Sequence, residues 1–258
     1  MTPPLMPYVR LSATEQTTLL DGIVARARAV REKGGSPVVV FDLDGTLMDN
    51  RPRTIRILHE LAHTWSEKYP EASASLREAH PDRTVYALSE TLDRVGVRGA
   101  ELIELAETFW KERFFFDEHL VHDTALAGSV SFAKDCHEAG ARLAYVTGRD
   151  LPNMSLGTWK SLRDLGFPIG VVGTELILKS DAAIPDEEFK RLLAPKLSAL
   201  GEIIASFDNE PGNCNIFLKF FPQAKSVLVD TQHHPAAPKP DAGVDVIGDF
   251  SRSSTTKA

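Results

Sequence analysis

The sequence has little cysteine and no long apolar run, and these shortages exclude several classes of protein. Its 258 residues contain two cysteines, Cys136 and Cys214, which are too few for a disulfide framework and form no CxxC pair. We interpret both as reduced, partly buried thiols. No stretch approaches the roughly 18 apolar residues that a transmembrane helix needs, and the first ten residues lack the basic and apolar regions of a signal peptide. We therefore expect a cytoplasmic protein without a membrane partner.

Positive charge is also in short supply. The chain has 29 lysines and arginines against 36 aspartates and glutamates, and its formal net charge is −7. Because non-specific nucleic-acid binding depends on basic surface, this balance argues against a nucleic-acid partner. A small phosphorylated substrate is compatible with it, since local charge in a pocket can oppose the net sign. The sequence leaves the oligomeric state open.

Short apolar runs that end in polar residues alternate with helical stretches along the chain. Such runs are typical of strands buried on both faces of a parallel sheet, and the alternation predicts a Rossmann-like α/β core. Ligands bind at the carboxyl ends of the strands in sheets of this kind. The predicted strands are residues 37–41, 141–146, 169–172, 202–207 and 226–229, and predicted core helices cover 14–33 and 129–139.

A long insert separates the first two predicted strands. Residues 48–125 far exceed the dozen or so residues that a simple crossover needs. We therefore predict a core of residues 1–47 and 126–258 and a separate helical insert over 48–125. The polar residues 251–258 are expected to fray. The helices predicted within the insert cover residues 54–68, 83–95 and 100–116.

Two carboxylates and a glycine follow the first strand, in the string Asp42-Leu43-Asp44-Gly45-Thr46. Asp42 and Asp44 lie two residues apart, which places both side chains on one side of an extended chain. Two nearby carboxylates repel each other unless a cation neutralises them, and a hard ion such as Mg²⁺ prefers oxygen ligands. Gly45 permits a sharp turn, and Thr46 can help to order the loop.

In this setting the string resembles the first motif, DxDx[TV], of the haloacid dehalogenase superfamily. The resemblance implies a Rossmann-like core, a C1-type helical cap formed by the insert, and phosphatase chemistry. It also implies that Asp42 is a nucleophile that forms an aspartyl phosphate, and that Asp44 acts as general acid and base. Both roles are chemically reasonable, because a carboxylate needs no deprotonation near pH 7 and a second carboxyl can transfer a proton.

The second motif of the superfamily has a counterpart in the string VTGR, at the end of the second strand. The resemblance implies that the Thr147 hydroxyl, with the backbone N–H of Gly148, holds a phosphoryl oxygen. Arg149 could contact the phosphate or the substrate, or it could form an ion pair with Asp150 or another neighbour.

The lysine of the third motif has two candidates, Lys179 in LILK and Lys190 in PDEEFK. We prefer Lys190, because Pro185 marks the start of a helix that leads into the fourth strand. Its ammonium would pair with the Asp42 carboxylate and the phosphate. Lys179 stays a candidate for substrate binding.

The fourth motif is acidic and corresponds to Asp208-Asn209-Glu210. Many members have two consecutive acids there, so Asn209 is a departure; it could supply a carbonyl oxygen or hold a metal-bound water. The resemblance therefore implies a Mg²⁺ site formed by Asp42, Asp44, Asp208 and Asn209, with Glu210 as a further candidate.

The superfamily also contains dehalogenases, phosphonatases and mutases. Asp44 and Asp208 favour a phosphatase, because the dehalogenases need no metal and typically lack the second aspartate of the first motif. A phosphonatase would need a Schiff-base lysine in the cap, and neither Lys68 nor Lys111 has a supporting string. The sequence is also compatible with a nucleic-acid end phosphatase, suggested by the D-x-x-x-K spacing at Lys190, and with a non-catalytic binding module.

Aromatic residues of the insert form either helical core or a platform for the substrate. These residues are Phe109, Trp110, Phe114, Phe115 and Phe116. Arg51 and Arg53 open the insert, where they could serve a hinge or contact substrate. The pair His233-His234 is interpreted as part of a plain loop, since a metal site would need more ligands at a suitable spacing.

Overall fold

The computed structural model describes residues 8–253. In chain order the strands are β1 (Pro37–Phe41), β2 (Met48–Asp49), β3 (Thr124–Ala125), β4 (Arg142–Asp150), β5 (Thr174–Lys179), β6 (Glu202–Asp208), β7 (Lys225–Val229) and β8 (Val244–Ile247). The α-helices are α1 (Ala13–Glu32), α2 (Arg51–Thr64), α3 (Pro70–Arg77), α4 (Leu88–Val95), α5 (Ala100–Phe114), α6 (Ser129–Glu138), α7 (Leu151–Leu165), α8 (Asp186–Leu197) and α9 (Pro211–Phe220). Short 3₁₀ helices cover Pro81–Arg83, Asp117–His122 and Ser198–Leu200.

Six of the strands form one parallel sheet, in the order β5-β4-β1-β6-β7-β8. All five residues of the central strand β1 are buried, and their side chains alternate between its two faces. Val39 and Phe41 belong to an apolar cluster that includes residues of α1 and α6, whereas Val38 and Val40 belong to one that includes residues of α8 and α9. The predicted α/β core with helices on both faces is confirmed.

The strand predicted at residues 169–172 is wrong. Gly170 and Gly173 have φ angles of 70° and 85°, a left-handed conformation that interrupts an extended run, and Val172 is 96% exposed. The strand in this part of the chain is β5, which pairs with β4 from Thr174 onward. The edge strand β8 was not predicted, because its four residues VDVI are too short to give a clear pattern.

The residues of the predicted insert form α2 to α5, and they begin and end in a small antiparallel ladder. Met48 of β2 pairs with Ala125 of β3, and Asp49 pairs with Thr124. The four helices share an apolar cluster of their own, which includes Leu58, Leu76, Leu92 and Ala106. Helix α3 was not predicted, and the helix expected from residue 83 begins only at Leu88, after an extended segment.

The C-terminal segment, residues 251–258, differs in part from the expectation that it frays. Arg252 lies in the segment that was expected to fray, but its guanidinium is 3.1 Å from Asp21 of α1 and also pairs with Asp135 of α6. Residues 254–258 of the same segment lie outside the described residues. Within residues 8–253, no helix has the length and apolar character needed to cross a membrane.

Candidate active site

A cavity of about 420 Å³ opens at the carboxyl ends of the central strands. Asp42 and Asp44 follow β1, Gly148 lies near the end of β4, and Asn209 follows β6; all four line the cavity. Helix α8 contributes Lys190 from the side, and residues of the insert cover the opposite wall. The polar groups that follow separate strands in the sequence are therefore collected in one crevice, as expected for a sheet of this kind.

Lys190 lies among three carboxylates. Its Nζ donates to Oδ1 of Asp42 at 2.8 Å and to Oδ2 of Asp208 at 2.9 Å, and it lies 3.1 Å from Oδ2 of Asp186. Lys190, Asp42 and Asp208 are all buried. Asp186 precedes Lys190 by one helical turn of α8, so the D-x-x-x-K spacing places both on one face of the helix. The lysine preferred from the sequence thus contacts the predicted nucleophile directly.

Three carboxylates around one ammonium leave an excess of buried negative charge. Burial raises the pKa of Asp42; Lys190 opposes this rise, and Asp208 and Asp186 add to it. Burial also raises the pKa of Asp208 against the effect of Lys190. Although burial alone would lower the pKa of Lys190, its three carboxylate neighbours raise it well above the ordinary value. A divalent cation beside these carboxylates would offset the excess charge.

The oxygen donors around the Asp42 carboxylate fit Mg²⁺. The Thr46 hydroxyl donates to Oδ2 of Asp42 at 2.9 Å and lies 3.5 Å from Oδ1 of Asn209, so both oxygens are near the same hydroxyl. In the described part of the chain no three His, Cys, Asp or Glu side chains are placed to hold a metal ion together. The donors would then be Asp42 and Asp208, with amide, backbone carbonyl and water oxygens completing the shell. Such a mixed oxygen set is typical of Mg²⁺.

Asp44 has a different environment, because its carboxylate is held by two arginines. It accepts hydrogen bonds from Arg149 at 2.7 and 2.9 Å, from Arg53 at 2.6 Å and from Asn50 at 3.2 Å. Both arginines are buried and also bind Asp123, at 2.8 and 2.7 Å. Burial alone would raise the pKa of Asp44, but Arg149 and Arg53 hold it well below its usual range. Asp44 is therefore ionised in this arrangement.

The residues of the predicted second motif lie at the end of β4 with distinct contacts. Thr147 is buried and is not part of the cavity lining, and its hydroxyl oxygen accepts the backbone N–H of Arg149 at 3.3 Å. Gly148 lines the cavity, and a Cβ atom at this position would lie 2.5 Å from Oδ1 of Asp186. Any other residue at this position would require the Asp186 side chain to shift. Arg149, one of the candidates for phosphate contact, forms ion pairs with Asp44 and Asp123 instead.

Lys179 also lines the cavity, but it does not occupy the same position as Lys190. Its Nζ donates to the backbone carbonyl of Ile184 at 2.9 Å, within the loop that precedes α8. The ammonium therefore orders that loop while one side of it faces the cavity. Burial raises the pKa of Glu210, another lining residue, to about 7, and its carboxylate accepts the backbone N–H of His234.

Comparison with known proteins identifies the family. A family model described as "Hydrolase: haloacid dehalogenase-like hydrolase" matches residues 37–205, which is more than half of the chain. The chain belongs to the haloacid dehalogenase-like hydrolases. No curated protein matches it significantly. The resemblance inferred from the first motif and the expectation of a hydrolase are thereby confirmed.

Solved structures of the same fold are distant in sequence. A protein described as a "putative phosphatase" from Clostridium difficile is 15% identical with a TM-score of 0.51, over 77% of this chain and 87% of that one. A protein described as a "putative haloacid dehalogenase-like hydrolase" from Bacteroides fragilis is 14% identical with a TM-score of 0.49, over 83% of this chain and 97% of that one. At 15% identity, the likeness to the Clostridium difficile protein concerns the fold alone.

Two acidic residues of the site were not predicted from the sequence. Asp186 is part of the helix start and of the D-x-x-x-K string recognised around Lys190, but no role in the site was predicted for it. Asp123 binds Arg53 and Arg149 at the far end of the insert, and no local pattern marks it. Arg53 was considered for a hinge or for substrate; it is fully buried and contacts Asp44 and Asp123.

Some aromatic residues of the insert line the cavity, as a substrate platform would, and others belong to the helical core. Trp110, Phe114 and Phe115 line the cavity, whereas Phe109 packs against the apolar cluster of the insert. Phe116 is 39% exposed and lies outside the cavity lining.

The remaining candidates lie away from the reacting groups. Lys68 lies over the ring of Tyr69, and Lys111 lies 3.9 Å from Glu107, so neither faces the cavity as a Schiff-base lysine would. The pair His233-His234 lies in a loop, where the His234 ring packs edge-on against the ring of Tyr86.

Proposed function

We propose that the chain is a Mg²⁺-dependent phosphatase that hydrolyses a small phosphate monoester through an aspartyl phosphate on Asp42. The observation that carries this proposal is the fixed, buried carboxylate of Asp42 at the floor of the cavity. Lys190 binds one of its oxygens and Thr46 binds the other. A nucleophile held in one orientation lowers the entropic part of the barrier. Membership of a hydrolase family supports the same chemistry.

In the first proposed step, an oxygen of Asp42 attacks phosphorus in line and the bond between phosphorus and the ester oxygen breaks. Lys190, the Thr147 hydroxyl and the backbone N–H of Gly148 stabilise the charge on the phosphoryl oxygens. In the second step, water attacks the phosphorus of the acyl phosphate. Inorganic phosphate leaves, and the Asp42 carboxylate is restored.

Asp44 is proposed to transfer the protons. Its ionised form suits the second step, in which it accepts a proton from the attacking water. For the first step it must take up a proton and release at least one arginine before it can protonate the leaving oxygen, because Arg149 and Arg53 favour the carboxylate. General acid and base catalysis of this type contributes about 10²–10⁴-fold.

Asp42, Asp208, Asn209 and the backbone carbonyl of Asp44 are the groups proposed to hold Mg²⁺. When bound, the ion supplies a Lewis acid that offsets the charge of the transferring phosphoryl group. Removal of Mg²⁺ with a chelator should therefore abolish turnover, and addition of excess Mg²⁺ should restore it.

The test is hydrolysis of a generic aryl phosphate with and without Mg²⁺ by the parent and by Asp42→Asn. We expect turnover by the parent only with Mg²⁺, and a loss on the order of 10³-fold or more in Asp42→Asn. Asp164→Asn, the same change at an exposed position of α7, is the matched control and should leave turnover intact. An Asp42→Asn protein that folds and keeps full activity would refute the assignment of Asp42 as the nucleophile.

A further inference from the structure

The wall of the cavity that faces the reacting groups is aromatic. The insert contributes Tyr86, Trp110, Phe114 and Phe115 to the lining, together with Val85 and Leu88. Phe115 and Tyr86 are 44% and 49% exposed, although large aromatic side chains are usually covered. The charged residues Asp42 and Lys190 lie on the core side. A phosphoryl group held there would direct its leaving group toward these rings.

Three threonine hydroxyls of the aromatic wall already have hydrogen-bond partners within the protein. The Thr54 hydroxyl accepts the indole N–H of Trp110 at 3.2 Å, and the Thr84 hydroxyl donates to the carbonyl of Pro81 at 2.7 Å. The Thr91 hydroxyl is bonded to both backbone groups of Val85. A sugar or polyol would place its hydroxyls against aromatic rings and against threonine hydroxyls that already have partners, which costs the lost hydrogen bonds to water.

The charged side chains of the lining also limit which leaving groups the cavity can accept. Among the described residues of the lining, Arg51 is paired with Asp49 at 2.7 Å and Lys179 is bonded to the carbonyl of Ile184. Glu210 adds a carboxyl group. A leaving group with a second phosphate would therefore need to displace an existing ion pair or hydrogen bond, whereas an uncharged ring would not.

We infer that the substrate is a phosphate monoester whose alcohol carries an aromatic ring, packed against Trp110 and Phe115. This inference rests on the proposed phosphatase function and names the substrate class of the same site. The volume is sufficient, because a cavity of about 150 Å³ holds a benzene ring and this one measures about 420 Å³. Pairs of aromatic rings also add attraction beyond the buried area, in offset-stacked or edge-to-face arrangements.

The test compares three monoesters whose leaving alcohols differ little in acidity: 2-phenylethyl phosphate, n-butyl phosphate and glycerol 1-phosphate. Aryl phosphates are avoided here, because their better leaving groups would raise the rate without any contact to the wall. We expect the parent to prefer 2-phenylethyl phosphate by roughly tenfold or more in kcat/KM over both other esters.

The variants are Phe115→Ser and Trp110→Ala, with Phe116→Ser as matched control. Phe116 is adjacent to Phe115 and partly exposed but does not line the cavity. The first two changes should lower kcat/KM for 2-phenylethyl phosphate about five- to twentyfold and leave glycerol 1-phosphate within about twofold. The control should change neither. Because Phe115 is exposed, its loss leaves the fold intact even if Trp110→Ala does not.

A binding measurement separates this inference from the phosphatase proposal. Quenching of tryptophan fluorescence reports the affinity of 2-phenylethylphosphonate and n-butylphosphonate, which are not hydrolysed. Tighter binding of the aromatic phosphonate that is lost in Phe115→Ser supports an aromatic group at this wall even without turnover, and then only the phosphatase reaction is refuted. Equal kcat/KM for all three esters, or equal binding of both phosphonates, overturns the aromatic substrate class while any turnover leaves the phosphatase standing.

Discussion

Lys190 and Lys179 carry the same charge and both line the cavity, but their partners differ. The ammonium of Lys190 offsets part of the negative charge of three carboxylates, whereas Lys179 is bonded to backbone carbonyls. Lys190→Met should therefore lower kcat by at least about 10²-fold, the usual cost of removing one group that stabilises transition-state charge. Lys179→Met should lower it less than tenfold. Steady-state kinetics on both variants decide between the two lysines; equal losses would contradict the assignment.

Gly148 is required by the position of Asp186. Gly148→Ala places a Cβ atom 2.5 Å from Oδ1 and 3.0 Å from Cγ of Asp186. Since Asp186 contacts Lys190, the shift should be transmitted to the nucleophile and lower kcat/KM by about 10–10²-fold. The control is Gly22→Ala in α1, where a new Cβ meets nothing within 4 Å. It should keep full activity and raise the free energy of unfolding by about 0.5–1 kcal/mol. An active Gly148→Ala protein would show that Asp186 can move freely.

At the scale of elements, a cluster of four charged side chains, three of them buried, joins the insert to the core. Arg53, in the first turn of α2, pairs with the core residue Asp44 at 2.6 Å, and Asp123, which directly precedes β3, pairs with the core residue Arg149 at 2.7 Å. The two ends of the insert therefore meet at the residue proposed to transfer protons. A change in the position of the insert would alter the partners of Asp44 directly.

Arg53→Ala should lower the free energy of unfolding by about 3–5 kcal/mol, because it leaves the Asp123 carboxylate buried with one fewer cation. Arg56→Ala is the matched control on the same helix. Arg56 forms an exposed pair with Glu60, and its loss should change stability by less than about 1 kcal/mol. Urea denaturation of both variants measures the difference. Similar values for the two would mean that the buried cluster contributes no more than a surface pair.

The strands that could be predicted are those whose pattern is local and continuous. Residues 37–41 are five buried apolar residues in a row, and the structure has β1 at the same bounds. Residues 169–172 are equally apolar but contain Gly170 and lead into Gly173, and the turn they form delays the strand until Thr174. Here the left-handed glycines outweighed the side-chain hydrophobicity on which the predicted strand was based.

At the scale of the whole molecule, a ligand that binds the site should stabilise the folded protein. Beryllofluoride with Mg²⁺ mimics an aspartyl phosphate, and a ligand present at 100 times its Kd stabilises the folded state by about 2.7 kcal/mol. The parent should therefore show a Tm increase of several degrees only when both components are present. Asp208→Asn should lose the increase, and Asp164→Asn should retain it. An increase in Asp208→Asn equal to that of the parent would argue against Asp208 as a metal ligand.

Contiguous motifs named residues that the fold places close together, whereas contacts between distant residues were not predicted. Asp42, Asp44, Lys190 and Asp208 were named from short strings, and the fold collects them at one edge of the sheet. Asp123 lies 70 residues from its partner Arg53. Only packing of the insert against the core brings such residues together, and a single sequence holds no record of that packing. Metal binding and the catalytic roles stay predictions.

The ladder between β2 and β3 has a consequence for how this fold can diversify. Because Asp49 and Thr124 are paired, the chain leaves the core and returns to it at a single point. For the six-stranded sheet, residues 50–123 are therefore equivalent to one long loop with its two ends held together. The entropic cost of closing a loop grows only slowly with its length. Residues 54–122 could therefore be replaced by a segment of another length without a change in the register of β1 and β4, provided that Arg53 and Asp123 keep their ion pairs with Asp44 and Arg149. Most of the insert and the strands of the core are thus free to vary independently, and these two ion pairs are the points at which they constrain each other.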